Sequence, residues 1–331
     1  MQSLIVTESS QIAQARRAVA ALAVRQGFDE EDAGRAALVA TEICSNLVKH
    51  GNSGELIAQP LERGDSRGVG LIGLDKGPGI DDLAKCLRDG YSTGGSPGTG
   101  LGAIRRMSQL FDLYSQPGKG TAVVAQLWSD GRSPPAHPIE IGAIVVPKPN
   151  EVECGDTWCY VERAGGVLVM GVDGLGHGLG ASQAASMACN VFMTEKTRAP
   201  AAVLERIHAN LRTTRGAAAI VMEIDWDRRQ LLSAGVGNLV AAIIEGSTAK
   251  RIPSYNGIVG HAKPRIRELS YPITPTAAIV FHSDGLTAAW QPERYPGLMQ
   301  HPCATIAGVL YRDCKRGRDD SMVVALRRTI S

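Results

Sequence analysis

The sequence has few aromatic residues and little net charge, and each shortage excludes a class of protein. Phe, Trp and Tyr make up 5% of its 331 residues, so its cores must be built mainly from Ala, Val, Leu and Ile. Lys plus Arg number 35 against 33 Asp plus Glu, a balance of +2. Nucleic-acid-binding domains carry a clear basic surplus, so DNA and RNA are excluded as expected partners.

Long apolar runs and paired cysteines are also missing. The runs at 166–172 and 277–281 are shorter than the roughly 18 residues of a membrane span. The first ten residues, MQSLIVTESS, lack the charged segment of a secretory signal. The seven cysteines form neither a CxxC pair nor a disulfide-like framework. We therefore expect a soluble, cytoplasmic protein with reduced thiols, no membrane partner and no nucleic-acid partner.

Length and composition indicate two folded domains. The chain is about twice the usual domain length of roughly 150 residues, and 44% of its residues are apolar. The segment SDGRSPPAHPIE after Trp128 is rich in turn formers and proline. We place a linker at 131–140, between a first domain at 1–130 and a second at 141–331.

Apolar spacing and β-branched content predict an α+β fold for each domain. In the first domain the patterns predict a helix over 12–23 capped by Ser9 and Ser10, further helices over 37–49 and 101–110, and strands at 56–58, 69–74 and 121–128. In the second they predict strands at 166–172, 217–225, 239–245 and 277–283, with helices over 180–194 and 200–213.

Three polar residues share one face of the helix predicted over 37–49. Glu42, Asn46 and Lys49 stand at i, i+4 and i+7. A carboxylate, an amide oxygen and an ammonium in one row could orient a nucleophile, hold Mg²⁺ and meet a phosphate. The alternative is an amphipathic helix with a polar outer face.

Two glycine-rich segments follow. Asp75 ends a strand and leads into the turn KGPG, where its carboxylate could accept a hydrogen bond from adenine; a surface β-turn has the same pattern. The segment GGSPGTGLG at 94–102 then opens a helix, whose free amides can receive phosphate oxygens.

The order of these motifs resembles the N, G1 and G2 boxes of the GHKL (Bergerat-fold) ATPases over about residues 1–130. Within that superfamily the segment DGYSTGGSPGTGLGAIRRM resembles the RsbT-type serine kinases of bacterial partner-switching systems. The resemblance implies an α/β-sandwich that binds ATP with Mg²⁺. It assigns Asp75 to adenine, Asn46 to Mg²⁺, Lys49 to the phosphates, Gly77 and Gly79 to the base pocket, Gly98, Gly100, Leu101 and Gly102 to the phosphate lid, Thr121 to the adenine site, and Glu42 to general base catalysis.

Acidic residues in the second half stand at strand ends or turns. They are Asp156, Asp173, Asp284 and the pair Asp319 and Asp320. Each alone could be a turn aspartate. Two of them, however, are Asp-Gly steps directly after apolar strands, where carboxylates can converge. Oxygen ligands without His or Cys favour Mg²⁺ or Mn²⁺, and two such ions could activate a bridging water.

The ordered segments ECGDTWCY, VMGVDGLGHGLGAS, LLSAGVGN, IVFHSDGLT and GRDDSMVVAL resemble the SpoIIE/RsbX branch of the PPM-type phosphatases. The resemblance spans about residues 141–330 and implies an αββα sandwich with two Mn²⁺ or Mg²⁺. It assigns the metal site to Asp156, Asp173, the carbonyl of Gly174, Asp284 and Asp319, with Asp320 as the less suitable member of its pair.

This half departs from the eukaryotic-type phosphatases of the same superfamily, because nothing before Asp156 matches the arginine that they place near the phosphate. His177 could donate a proton, but a surface loop position is the simpler interpretation. Cys154 and Cys159 flank Asp156, where packing explains them better than redox sensing.

Together the two resemblances predict a bifunctional partner-switching regulator. A kinase would phosphorylate a Ser or Thr of a STAS-domain antagonist, and a phosphatase would reverse it, controlling a stress or signalling response. The alternative is an ATP-loaded module that sequesters a sigma factor or a STAS protein without kinase activity, fused to an active phosphatase.

Overall fold

A proline-rich segment divides the chain into two units, Met1–Ala136 and His137–Ser331. The structure is a computed structural model and describes residues 1–82, 86, 100–262 and 264–329. The division falls inside the segment predicted as the linker. The first strand of the second unit begins at Ile139, so the last two residues assigned to the linker are strand residues.

The first unit is one antiparallel sheet with helices. Its strands lie in the order β1-β2-β3-β5-β4. They are β1 (Gln2–Val6), β2 (Gly54–Arg63), β3 (Ser66–Asp75), β4 (Leu110–Gln116) and β5 (Gly120–Trp128); the helices described are α1 (Ser9–Arg25), α2 (Glu30–His50) and α3 (Gly100–Met107).

Buried aliphatic residues of the helices and the sheet form one core in this unit. Val19 of α1, Ile43 of α2 and Ile104 of α3 belong to the same hydrophobic cluster as Leu56 and Leu71 of the sheet. This packing places the polar face of α2 away from the sheet, which leaves its side chains available to a ligand.

Two helix starts differ from prediction. The helix α1 is capped at Glu8, whose backbone N–H donates to the side chain of Gln11 at 3.1 Å, so the Ser9–Ser10 cap is wrong. The helix α2 begins two turns before residue 37 because Asp29 accepts from the backbone N–H of Asp32 at 2.8 Å and caps it there.

The second unit has two five-stranded sheets, ordered β13-β10-β9-β8-β7 and β12-β11-β14-β15-β6. The strands are β6 (Ile139–Val146), β7 (Asp156–Arg163), β8 (Gly166–Gly174), β9 (Ala217–Asp225), β10 (Gln230–Val236), β11 (Val240–Glu245), β12 (Thr248–Ile252), β13 (Leu269–Pro272), β14 (Ala278–His282) and β15 (Ser321–Arg328). The helices are α4 (Leu179–Thr194), α5 (Pro200–Asn210) and α6 (Cys303–Cys314), and short 3-10 turns lie at Leu211–Thr213, Pro292–Arg294 and Leu298–Gln300.

Two hydrophobic layers hold this unit together. One cluster joins the facing sheets through residues such as Ile220 and Phe281. A second joins the first sheet to α4 and α5 through Val172, Phe192 and Leu204. The helix α6 packs against β6 and β15 on the other sheet. The arrangement is helix, sheet, sheet, helix, and it confirms the predicted α+β class and αββα sandwich.

Within the described ranges, no helix combines the length and the apolar character needed to cross a membrane.

Candidate active sites

The start of α3 lies against the polar face of α2 in the first unit. A Cβ built on Gly100 would lie 3.1 Å from Oε2 of Glu42 and 3.5 Å from Oδ1 of Asn46. Among the described residues, the side-chain nitrogen of Asn46 is buried and has no hydrogen-bond partner. The structure therefore brings Glu42, Asn46 and Gly100 together around a polar group that lacks a partner, as expected where a ligand completes the site.

The end of β3 forms the second part of this site. Oδ1 of Asp75 accepts hydrogen bonds from the backbone N–H of Gly77 at 2.8 Å and of Thr121 at 3.2 Å. Gly79 has φ +74°, and a Cβ there would lie 2.2 Å from the carbonyl oxygen of Gln116, so only glycine fits. The predicted residues Asp75, Gly77 and Gly79 thus lie in the turn that follows β3, and Thr121 of β5 lies against Asp75.

The other predicted ATP-site residues are placed differently. Lys49 is exposed in the last turn of α2. Leu101 packs against the hydrophobic core, while Gly102 is buried within α3. Gly98 lies outside the described residues. The assignment of these four to phosphate binding stays a prediction.

Four carboxylates of the second unit come from the ends of four strands. Asp156 opens β7 and is paired in register with Asp173 of β8. Asp284 follows β14, and Asp319 precedes β15. Asp173, Asp284 and Asp319 line one open cavity of about 450 Å³.

Crowding and burial shift the pKa values of this cluster. Burial, together with the neighbouring Asp173, raises the pKa of Asp156 well above its usual value. Burial, with Asp284 and Asp319 nearby, raises the pKa of Asp173 to about 7. Burial and Asp319 also raise the pKa of Asp284, an effect that Arg316 opposes. The cluster therefore has an excess of negative charge.

Three residues support the carboxylates: Ser283 and Asn238, which were missed from the sequence, and Asp320, which was named there as the less suitable ligand of its pair. The hydroxyl of Ser283 donates to Asp156 at 2.6 Å, and the amide of Asn238 donates to Asp284 at 2.7 Å. Asp320 is buried and accepts from the backbone N–H groups of Lys148 at 2.7 Å and Gly155 at 2.8 Å. Its two oxygens thus fix the segment that leads into Asp156. Two features of the sequence could have indicated Ser283 and Asn238. Ser283 directly precedes Asp284, and Asn238 belongs to a Gly-Asn step after β10.

Gly174 and the residues after it form a loop beside the carboxylates. A Cβ on Gly174 would lie 2.2 Å from the carbonyl oxygen of Ala181, so α4 packs closely on this glycine. His177 is exposed, and its Nδ1 lies 2.6 Å from Oε1 of Glu151. Glu151 lies in the segment before Asp156, where the sequence has no counterpart of the phosphate-binding arginine of the eukaryotic-type phosphatases.

Divalent cations suit this donor set in chemistry and charge. The proposed donors are all oxygens, and Oδ1 of Asp156 is buried without a hydrogen-bond partner in the described part of the chain. The raised pKa values show mutual repulsion that a cation would relieve. The side chains are not already closed around an ion, because no three His, Cys, Asp or Glu among the described residues are arranged to hold a metal together.

These features define a two-unit protein that joins a histidine kinase-like ATPase fold to a PP2C-type phosphatase fold. Residues 5–127 match the family Histidine kinase-like ATPase domain. Residues 163–329, just over half of the chain, match the family Stage II sporulation protein E (SpoIIE). The chain belongs to the SpoIIE family, and both resemblances stated from the sequence are confirmed.

Known proteins are similar to each unit. Over 125 residues the chain is 35% identical to the serine/threonine-protein kinase RsbT of Bacillus subtilis (strain 168). The aligned residues make up 38% of this chain and 92% of that protein. The crystal structure of RsbX in complex with magnesium matches with a TM-score of 0.53 and 17% identity, over 60% of this chain and 99% of that one. A chain from a study of the bacterial stressosome matches with a TM-score of 0.54 and 23% identity, over 58% and 100%. The two structural matches support the fold alone.

Proposed function

We propose that the chain is a cytoplasmic partner-switching regulator with two opposed activities. The first unit transfers the γ-phosphoryl group of ATP to a Ser or Thr of a STAS-domain protein. The second hydrolyses that phosphoester with Mn²⁺ or Mg²⁺ and so controls a stress or signalling response. The observation that carries the proposal is that four carboxylates converge in a chain that also contains an RsbT-like kinase unit.

In the first unit, position and charge suit phosphoryl transfer. Asp75 is fixed by two backbone donors, where it can accept from the exocyclic amine of adenine. Glu42 and Asn46 stand on neighbouring turns of α2 beside Gly100. Glu42 would take the proton of the attacking hydroxyl, and Asn46 would ligate the Mg²⁺ that accompanies ATP. Lys49 is exposed on the same helix and can reach an anion.

In the second unit, Asp156, Asp173, Asp284, Asp319 and the carbonyl of Gly174 would hold the metal ions. The bound cations would supply a water of lowered pKa and charge stabilisation of the phosphoryl group. Ser283 orients Asp156, and Asn238 orients Asp284, so each carboxylate presents a fixed oxygen. Asp320 holds the backbone of Lys148 and Gly155 rather than joining the ligands.

Transfer of label from radioactive ATP to candidate STAS-domain proteins tests both halves. The Asp173→Asn variant, with the phosphatase disabled, should accumulate labelled partner, and wild-type protein with Mn²⁺ should remove that label. Glu42→Gln in the Asp173→Asn background should retain ATP and lose transfer. The matched control is Glu30→Gln, since Glu30 is exposed in the first turn of α2.

The outcomes separate the two candidate functions. If no partner is labelled while ATP and a STAS protein still bind, the first unit is a sequestering module without kinase activity. If Mn²⁺ and Mg²⁺ both fail to support hydrolysis of a phosphorylated partner, the phosphatase half of the proposal is wrong.

A further inference from the structure

A groove of about 950 Å³ runs along the exposed side of α4 in the second unit. The first turns of α4 form one wall, and the turn before β9 forms the other. Leu179, which is 64% exposed, and Met187, which is 37% exposed, lie in its lining with the polar residues Gln183 and Asn190. The groove thus offers both apolar and hydrogen-bonding contacts to an extended chain.

Arg215 lines this groove and is anchored to the loop that follows the metal-site residue Gly174. The next residue, Gly216, accepts a backbone hydrogen bond from Leu175 at 3.0 Å. A Cβ on Gly180 would lie 2.6 Å from Nε of Arg215, so the guanidinium lies directly against the start of α4. Both contacts hold the arginine beside the loop that leads from Gly174 to α4.

Among the residues that the structure describes, no acidic side chain pairs with the guanidinium of Arg215. Its contact with a protein acceptor is a long one, 3.5 Å from Nη1 to the carbonyl oxygen of His177. In the described ranges no carboxylate forms an ion pair with it. Glu151, which lies before β7, pairs with His177 at 2.6 Å, and Glu153 lines the groove without an ion pair to Arg215 in the described part of the chain. Arg215 therefore has donors available for an anion that enters the groove.

The same loop separates the groove from the cavity that holds the carboxylates. Gly176 lines that cavity beside Asp173, and a Cβ on Gly176 would lie 3.4 Å from Nη1 of Arg215. The guanidinium of Arg215, in the groove lining, therefore stands next to a residue of the cavity lining. A group bound by Arg215 would lie beside Gly176, a residue that lines the cavity of Asp173, Asp284 and Asp319.

Charge decides which ligand suits this position. A phosphoester dianion is repelled by clustered carboxylates, so its approach needs a cation on the protein surface as well as metal ions. Arg316 lies near Asp284, where its charge opposes the rise in the pKa of that carboxyl that burial causes. Arg215 faces the groove, and a guanidinium can donate two parallel hydrogen bonds to phosphate oxygens.

We propose that this groove receives the phosphoserine- or phosphothreonine-bearing segment of a substrate protein, with Arg215 donating to the phosphate and Leu179 and Met187 contacting the residues beside it. The inference rests on the proposed phosphatase function and names the part of the surface that would select its substrate.

Kinetics with two substrates test the inference. With Mn²⁺, Arg215→Ala should lower kcat/KM about 10- to 100-fold for both p-nitrophenyl phosphate and a phosphoserine peptide, and weaken inhibition by inorganic phosphate similarly. Arg215→Lys should recover part of this loss. Met187→Glu should raise KM for the peptide several-fold more than KM for p-nitrophenyl phosphate. Arg212→Ala, at an exposed arginine outside the groove lining, should behave as wild type.

A direct measurement separates this inference from the proposed function. Phenylglyoxal modifies exposed guanidinium groups, and peptide mass mapping reports each arginine separately. With Mn²⁺ present, inorganic phosphate should slow modification of Arg215 but not of Arg212. Equal protection of the two, or loss of peptide turnover alone in Arg215→Ala, would overturn the inference. If wild-type protein hydrolyses neither substrate, the phosphatase proposal fails, and protection by phosphate still decides the role of Arg215.

Discussion

The hydroxyl of Ser283 donates a hydrogen bond of 2.6 Å to Oδ2 of Asp156, a residue 127 positions earlier in the chain. The same hydroxyl accepts the backbone N–H of Met322 at 3.0 Å. One side chain at the end of β14 thereby ties the start of β7 to β15. The link is buried and leaves Oδ1 of Asp156 without a partner in the described structure.

Ser283→Ala should weaken metal binding without unfolding the protein. The substitution removes the donor that orients Asp156, and loss of such a supporting bond costs roughly 10- to 100-fold in metal affinity or activity. We expect the Mn²⁺ concentration for half-maximal phosphatase activity to rise by that factor. Calorimetric titration of Mn²⁺ gives an independent measurement.

Ser233→Ala is the matched control. Ser233, like Ser283, is a buried serine of the second unit, but it lies on β10 and its hydroxyl has no hydrogen-bond partner among the described residues. Its removal should leave Mn²⁺ activation unchanged. If both variants change Mn²⁺ affinity equally, Ser283 does not act through Asp156.

Asp173→Asn should stabilise the metal-free second unit. It removes one charge from a crowded, buried cluster, and about 1 kcal/mol of relief corresponds to a rise of roughly 2–4 °C in Tm for a unit of this size. Mn²⁺ should raise the Tm of wild-type protein much more than that of the variant, because it binds the folded state of the wild type. Differential scanning calorimetry with and without Mn²⁺ measures both effects.

Asp227→Asn provides the comparison for this experiment. Asp227 is exposed and pairs with Arg328 at the surface, where an ion pair contributes little. Its variant should keep the full wild-type response to Mn²⁺. Equal Mn²⁺ responses of the wild type and Asp173→Asn would show that Asp173 is not a metal ligand.

The sequence was sufficient for the helices and strands whose pattern is local. The strand predicted at 217–225 has the same bounds in the structure. The helix predicted over 180–194 also ends at Thr194, where the apolar periodicity stops. β1 was missed because it is a short edge strand, partly exposed, whose place depends on pairing with residues 54–58. The helix α6 was missed because it is buried nearly all round, so it has no polar face to give a helical period.

The same distinction applies to the candidate sites. Asp173 and Asp284 could be singled out because an acidic residue directly after an apolar strand is visible in the sequence. The roles of Ser283 and Arg215 depend on contacts with distant segments, such as Asp156 and Gly180, which no local pattern encodes. The burial of Arg312 near the end of α6, where it pairs with Asp313, is likewise set by packing against other segments.

Asp75→Asn should lose ATP binding while the first unit stays folded. The asparagine side chain keeps an oxygen that can accept from the backbone N–H groups of Gly77 and Thr121. It lacks the negative charge that strengthens a hydrogen bond from adenine, so we expect ATP affinity to fall roughly 10- to 100-fold. Asp65→Asn, in the exposed turn between β2 and β3, should bind a fluorescent ATP analogue like wild type. Equal affinities of all three proteins would contradict the assignment of Asp75.

Cys189 should react with iodoacetamide faster than the buried thiols. A hydrogen bond from the Cys159 thiol and another from the Thr157 hydroxyl lower the pKa of Cys189, against the opposing effect of burial. Burial raises the pKa of Cys44 to about 12, and that thiol is fully buried in the first unit. Because the thiolate is the reactive form, Cys189 should be alkylated in the native protein at pH 7, whereas Cys44 should react only after unfolding.

The control for this prediction is Thr157→Val, which removes one donor and keeps the shape of the side chain. The variant should slow alkylation of Cys189 at pH 7, and the difference should shrink as the pH rises and the thiolate forms without that donor. Mass mapping of each cysteine peptide over time gives the rates. A Cys189 rate that is equal in both proteins at pH 7 would show that the Thr157 hydroxyl does not stabilise the thiolate, and prior reaction of Cys44 would contradict its burial.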